Sequence, residues 1–323
     1  VAVTLATVGF LFGWLGFGDV LFNLLPARIY GVVAGYQWMA IPLFVFMGVM
    51  LEKSRLADDL LDVMGHIAGG VRGGMGVGII LFGVLMGATT GIVGATIITL
   101  GLLTLPTLIR RGYDKRVACG AICASGTLGQ IIPPSLILIL LSDIMQLSVG
   151  TLFAAAVGPG MLLAGVYIVF LLVLGWLKPE LMPPIPQAER DAVSRRELWI
   201  RFWKVVVPPI MLVVSVLGSI VGGIAAPTEA ASMGAVGAIL ITVGAGRFKW
   251  QVLKDVALET AKITAIMMFI LMMAQVFALA FRGLHGEDLI VRLFELLPGG
   301  VNSDIWFMMA LIFVLGFFIE WIE

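Results

Sequence analysis

Charge is what this chain has least of. Only 12% of its 323 residues are Asp, Glu, Lys or Arg, against 60% hydrophobic, and its 20 basic and 20 acidic residues cancel. A composition this poor in charge, with a mean hydropathy of +1.10, excludes an ordinary soluble domain and marks an integral membrane protein. The zero net charge removes the electrostatic case for nucleic acid as a partner or for a polybasic lipid anchor. Histidine is nearly absent. There is no His-Glu-x-x-His, and His66 and His285 fall in amphipathic connectors, which argues against a membrane-embedded hydrolase. Cys119 and Cys123 stand four apart with no third Cys or His beside them, so they read as small packing residues and not as a metal pair. Strand alternation of barrel type is missing. The first apolar run has neither a basic lead nor an initiator Met, so it is expected to be a cut span and not a signal peptide, in a chain truncated at both ends.

What is present is a series of apolar runs, each long enough, at roughly 17–25 residues, to cross the hydrocarbon core as a helix. They lie at about 1–25, 36–52, 73–90, 92–109, 113–147, 151–177, 203–222, 227–246, 258–281 and 303–323. Lys and Arg cluster between them, at 53–72, 110–116, 178–204 and 247–254. If 73–109 enters and leaves on one side as a hairpin, every cluster faces the cytoplasm, as short loops require. The chain also repeats itself. Ala57-Asp-Asp-Leu-Leu, running to Gly69-Gly70-Val71, returns as Gly286-Glu-Asp-Leu-Ile, running to Gly299-Gly300-Val301. Ala40-Ile-Pro-Leu-Phe and Ala265-Ile-Met-Met-Phe precede the two copies, and Val84-Leu-Met-Gly87 and Phe313-Val-Leu-Gly316 follow them. An odd number of crossings separates the copies, so the second is inverted, an arrangement that secondary transporters use to build one site between two halves. This divides the chain into 1–177 with the first repeat, a polar connector at 178–202, and 203–323, which ends inside a second hairpin.

In hydrocarbon a broken helix survives only where it is buried in protein or lines a cavity. Ala124-Ser-Gly-Thr-Leu-Gly-Gln-Ile-Ile-Pro-Pro-Ser135 is such a break. Pro133 and Pro134 have no N–H and would clash with the carbonyls of Gly129 and Gln130, which are predicted to stand free for coordination. Ser125, Gly126, Thr127 and Gly129 supply hydroxyls and pliable backbone in the same turns. Unwound carbonyls suit Na⁺, and a half-helix N-terminus favours an anion. The tip of the hairpin 73–109, Gly87 to Gly94, adds Thr89 and Thr90. Its glycines at intervals of four fit helix packing equally well. Glu229, in Ala226-Pro-Thr-Glu, is either an intramembrane functional carboxylate or a first-turn helix cap. Glu320 and Glu323 are similar candidates near the end of the sequence.

These residues resemble a known family, the large permease subunit of tripartite ATP-independent periplasmic (TRAP) transporters. The resemblance is carried by Ala40-Ile-Pro-Leu-Phe, Arg110-Arg-Gly-Tyr-Asp114, the Ala124–Ser135 segment and Gly223-Ile-Ala-Ala-Pro-Thr-Glu-Ala-Ala231, in the family's order over nearly the whole chain. It implies an all-α, inverted-repeat, elevator-type importer with re-entrant hairpins and discontinuous helices in the bacterial inner membrane. It further implies sodium coupling, a small four-helix membrane subunit, a periplasmic substrate-binding protein and a carboxylate substrate. Carried over residue by residue, the sodium ligands would be Thr89, Thr90 and Gly91 with Ser125, Gly126, Gly129 and Pro133. The substrate would meet Thr89, Thr90, Ser125, Thr127, Pro134 and Ser135. Many members have Ser-Gly-Ser at the tip where this chain has Thr90-Gly91-Ile92, which puts the tip hydroxyls in question. A stand-alone sodium/dicarboxylate carrier of related architecture is the competing expectation; a hydrolase or a channel is more remote.

Overall fold

Long apolar segments satisfy their backbone hydrogen bonds internally, and in the computed structural model of this chain they do so as helices. The structure describes residues 2–54, 59, 63, 65–90, 93–184, 194–296, 298 and 300–317, with the side chains of 21, 22, 37, 87–90, 95 and 195 outside that set. Among the described residues there is no strand. Among the described residues, Val149–Leu177, Arg196–Val221, Pro227–Gly244 and Trp250–Gly283 are each long and apolar enough to span a bilayer, and the bent pair Lys115–Ile131 with Leu136–Ile144 is apolar enough for a broken span or a re-entrant loop. The chain is an all-helical, polytopic membrane protein. It divides into two compact units, Met39–Ala261 and the pair of segments Val1–Trp38 with Lys262–Glu323.

Two helices of the other unit, α1 (Ala2–Phe17) and α2 (Val20–Val33), come first in the chain, and the larger unit opens with helix α3, Ala40–Lys53. Then come α4, Gly74–Thr90, and α5, Val93–Arg110. Arg111 donates from Nη1 to the Met75 sulfur at 3.1 Å, so the segment leaves where it entered, as a hairpin does. The Arg-Arg-Gly-Tyr-Asp motif makes the turn out of it. Gly112 sits at φ +82°, a conformation glycine adopts without penalty. Asp114 then caps α6, Lys115–Ile131, by accepting the backbone N–H of Arg116 at 2.9 Å. A break follows, and α7, Leu136–Ile144, continues at a bend of 41°. Next are α8, Val149–Leu177, then α9 and α10, Arg195–Val205 and Val207–Val221, then α11, Pro227–Gly244, and the first part of α12, Trp250–Gly283. The core gathers on the hairpin and α6, where Ile80, Phe82, Leu100, Leu108 and Leu128 are buried. Helix α3 is buried along most of its length and packs on α11, with Met47 against Gly234.

In the smaller unit, the run 1–25 is not one span. It divides into α1, Ala2–Phe17, and α2, Val20–Val33. Gly18 between them takes φ +57°, and its N–H closes on the Trp14 carbonyl at 2.8 Å. The second helix folds back, so that Val3, Phe10, Leu25, Ile29 and Val33 line one apolar cleft. Hydropathy alone missed this because the turn is only two residues, Gly18 and Asp19, and one charge leaves the apolar average of the run high. Helix α1 lies along the last part of α12. A Cβ on Gly9 would stand 2.6 Å from the Phe277 Cα, and one on Gly16 would stand 2.5 Å from the Leu284 side chain; the equal spacing means the two helices run parallel. The short helices α13, Gly286–Glu295, and α14, Val301–Leu315, complete the unit.

Candidate functional site

The break is built from α6 upward. A Cβ placed on Gly83 of the first hairpin arm would stand 2.5 Å from both the Cβ and the carbonyl oxygen of Ser125, so only glycine lets the arm lie this close. One on Gly126 would stand 2.3 Å from Ile97 of the second arm. Both arms therefore grip α6 at neighbouring residues. From that grip, at about 1.5 Å per residue, the first arm runs about 10 Å further to its end at Thr90 and α6 about 9 Å to its end at Ile131. The hairpin tip and the break are reached after nearly equal lengths of helix.

The backbone accounting at the break departs from expectation in one respect. Ile132 still donates to the Leu128 carbonyl at 3.0 Å. Pro133 has no N–H to offer Gly129, as predicted. The Gln130 carbonyl, however, is not free, because it accepts the Ser135 hydroxyl. A hydroxyl five residues on replaces the donor that Pro134 lacks. Ser125 is fully buried and donates to its own helix at the Ile122 carbonyl, 3.1 Å away. Its oxygen keeps its lone pairs. Ser125 and Gly129 are one turn apart on the same helix face, so hydroxyl and carbonyl oxygens, hard donors of the type that hold Na⁺ or Mg²⁺, share that face.

The structure thus brings Ser125, Gly126, Gly129, Pro133, Pro134 and Ser135 together as buried residues at the end of α6. Thr127 departs from them. It points to the exposed face and donates to the Ala124 carbonyl at 2.8 Å. Cys119 and Cys123 are exposed as well, so the expectation that they are packing residues fails; the face they share with Thr127 is the one the hairpin arms leave open. The side chains of Thr89 and Thr90, and the whole of Gly91, Glu320 and Glu323, lie outside the described residues. Glu229 is exposed, and its Oε2 accepts the Ala226 backbone N–H at 2.9 Å, which is the helix-cap role. No group of three or more His, Cys, Asp or Glu that could hold a metal occurs among the described residues.

One contact escaped sequence reasoning. Thr99 of the second hairpin arm donates its hydroxyl to Glu52 Oε1, 2.9 Å away on α3. The available signal was a single carboxylate in the last turn of an otherwise apolar helix, where the negative end of the helix dipole disfavours it.

Comparison with known proteins agrees with this architecture. The family described as "Tripartite ATP-independent periplasmic transporter, DctM component" matches residues 1–323. The C4-dicarboxylate TRAP transporter large permease protein DctM of Pseudomonas aeruginosa is 31% identical over 256 residues, covering 79% of this chain and 58% of its own length. Its counterpart from Rhodobacter capsulatus is 30% identical over 277 residues, 80% of this chain and 61% of its own. The 2,3-diketo-L-gulonate TRAP transporter large permease protein YiaN of Escherichia coli is 27% identical over 270 residues, 82% and 60% respectively. The chain spans about three fifths of the length of these relatives, which are transporter permeases and not enzymes. With its hairpin, its broken helix and a family match over residues 1–323, the chain belongs to the DctM family of TRAP transporter large permease subunits.

Proposed function

We propose that this chain is the permease part of a sodium-coupled secondary transporter that imports organic acids across the bacterial inner membrane. The observation that carries the proposal is the break at 132–135, where buried serine hydroxyls and a backbone carbonyl stand at the end of a helix gripped by both arms of a helical hairpin. Such irregular backbone costs several kcal/mol in lipid unless a ligand or water uses it. Sodium would be held by oxygens of Ser125, Gly126, Gly129 and Pro133 with the hairpin tip at Thr89, Thr90 and Gly91. The N-terminus of α7 beyond Ser135 suits an acid group. The relatives' names range from C4-dicarboxylate to 2,3-diketo-L-gulonate, and only the acid group they share is carried over. The inverted repeat, with parts 1–177, 178–202 and 203–323, would supply a second, oppositely oriented hairpin and break. The elevator motion, the small four-helix subunit and the periplasmic binding protein belong to the same proposal.

The test is uptake of labelled organic acids into proteoliposomes that contain the full-length protein and its small subunit, under an inward sodium gradient, with and without the binding protein. Uptake that needs both sodium and binding protein is expected. Uptake with sodium alone would replace the tripartite proposal with a stand-alone carrier, and uptake indifferent to sodium would remove the ion site.

A further inference from the structure

The hydroxyls of the membrane helices mostly look inward to their own backbone. Thr104, Ser125, Thr127, Ser142, Ser215, Ser219, Ser232 and Thr242 each donate to a carbonyl three or four residues back. Thr99 does not. It gives that local bond up and reaches 2.9 Å to Glu52 on another helix. Glu52 is placed at a cost, since a carboxylate in the last turn of an apolar helix meets both the dipole's negative end and a poorly hydrated surrounding. The neighbouring Lys53 does not offset that cost alone, because its Nζ is 3.1 Å from Glu259. A hydroxyl that has a local backbone alternative is thus committed to a carboxyl group on another helix.

We propose that Glu52 is a positioning residue of the transport cycle, which latches the site-bearing hairpin to α3 through Thr99 and must release it for the site to change sides. The inference rests on the transport proposal above. Its mechanical basis is the second arm itself. Ile97 packs on Gly126, and Thr99, two residues on and therefore on nearly the opposite face, holds Glu52. The arm links the helix that carries the break to α3, and α3 is fixed along its length to α11. A hydrogen bond to a charged acceptor is strong enough to bias a two-state equilibrium and weak enough to open in every cycle.

The experiment compares Thr99→Val, which keeps the shape and removes the donor, with Thr99→Ser, which keeps the donor. The first readout needs no transport: the rate at which a small membrane-permeant maleimide labels Cys123 in detergent, in a Cys119→Ser background. Thr99→Val is expected to change that rate about tenfold, the ratio that ~1.4 kcal/mol produces, while Thr99→Ser stays near wild type. The second readout is uptake by full-length protein with Glu52→Cys and Thr99→Cys in a Cys119→Ser, Cys123→Ser background, joined by a short bis-methanethiosulfonate, each thiol displacing methanesulfinate as its disulfide forms. Joining should stop uptake, and reduction should restore it. A purely static tie gives unchanged labelling in Thr99→Val, or normal uptake while joined, and either result overturns the proposal. Absent uptake in the wild type would count against the transport proposal instead, with the labelling comparison still deciding the latch.

Discussion

Two apolar runs of this chain are interrupted, one at Gly18 and one at Pro133–Pro134, and they differ in what happens to the backbone. At Gly18 the chain turns through a left-handed residue, and the amide that makes the turn bonds the Trp14 carbonyl at 2.8 Å. That interruption closes its own account. At the prolines, the Gly129 carbonyl loses its donor, and the Gln130 carbonyl is met only by the Ser135 hydroxyl. Single prolines within α5 and α8, Pro106 and Pro159, leave their helices continuous. Loss of helix is therefore not what marks a functional site in a membrane protein. On the proposed reading the better mark is a backbone acceptor that has lost its helical donor beside buried hydroxyls.

The largest effect should come from making the second interruption resemble ordinary helix. The double variant Pro133→Ala, Pro134→Ala returns two N–H donors, so α6 is expected to continue and to occupy the Gly129 and Gln130 carbonyls. Uptake in proteoliposomes should fall roughly 100-fold, the scale of an Ångström-level misplacement, while the melting temperature in detergent does not fall. Uptake within twofold of wild type would show that the break carries no site. Ser125→Ala comes next. Removing one oxygen from a cation should raise the sodium concentration for half-maximal uptake by about 10- to 100-fold. Thr127→Ala, on the exposed face, should leave it unchanged, and equal shifts in both would refute the assignment of faces.

Packing around the break should be less sensitive than its chemistry. Gly83→Ala puts a methyl group 2.5 Å from the Ser125 backbone, and overpacking of this kind costs about 1–3 kcal/mol. Gly126→Ala meets a side-chain carbon of Ile97 first, which can rotate, so its loss of thermal stability should be the smaller of the two. The reverse order would mean that the second arm, not the first, sets the spacing.

Much of this was legible in the residues because lipid leaves helices few options. The all-helical character, the hairpin at 73–109 and the break followed from apolar length, the glycine-rich tip and the double proline, whereas of the ten apolar runs only four helices among the described residues, or five with the bent pair, are long and apolar enough to span. The fate of Gln130 was not legible, since whether Ser135 reaches back depends on the 41° bend. Nor was the exposure of Cys119 and Cys123, which depends on which face of α6 the arms choose. Glu229 was readable as either of two things, and its hydrogen bond to Ala226 is the one a helix cap makes. The Glu52 to Thr99 contact joins residues 47 apart, and no periodicity in either helix announces it.

The smallest effect is expected at the first interruption. A Cβ on Gly18 would meet no heavy atom within 4 Å, so Gly18→Ala changes no packing and is charged only for its φ of +57°. That conformation costs a residue with a Cβ about 1–2 kcal/mol, to be read as a modest fall in melting temperature with uptake unaltered. Gly18→Asn separates this cause from any other, because asparagine enters the left-handed region more readily while adding a larger side chain than alanine. If the turn matters only as backbone geometry, the asparagine variant should be the more stable of the two. If the alanine variant is the more stable, side-chain bulk at the turn is the controlling term, and the contrast with the proline break weakens.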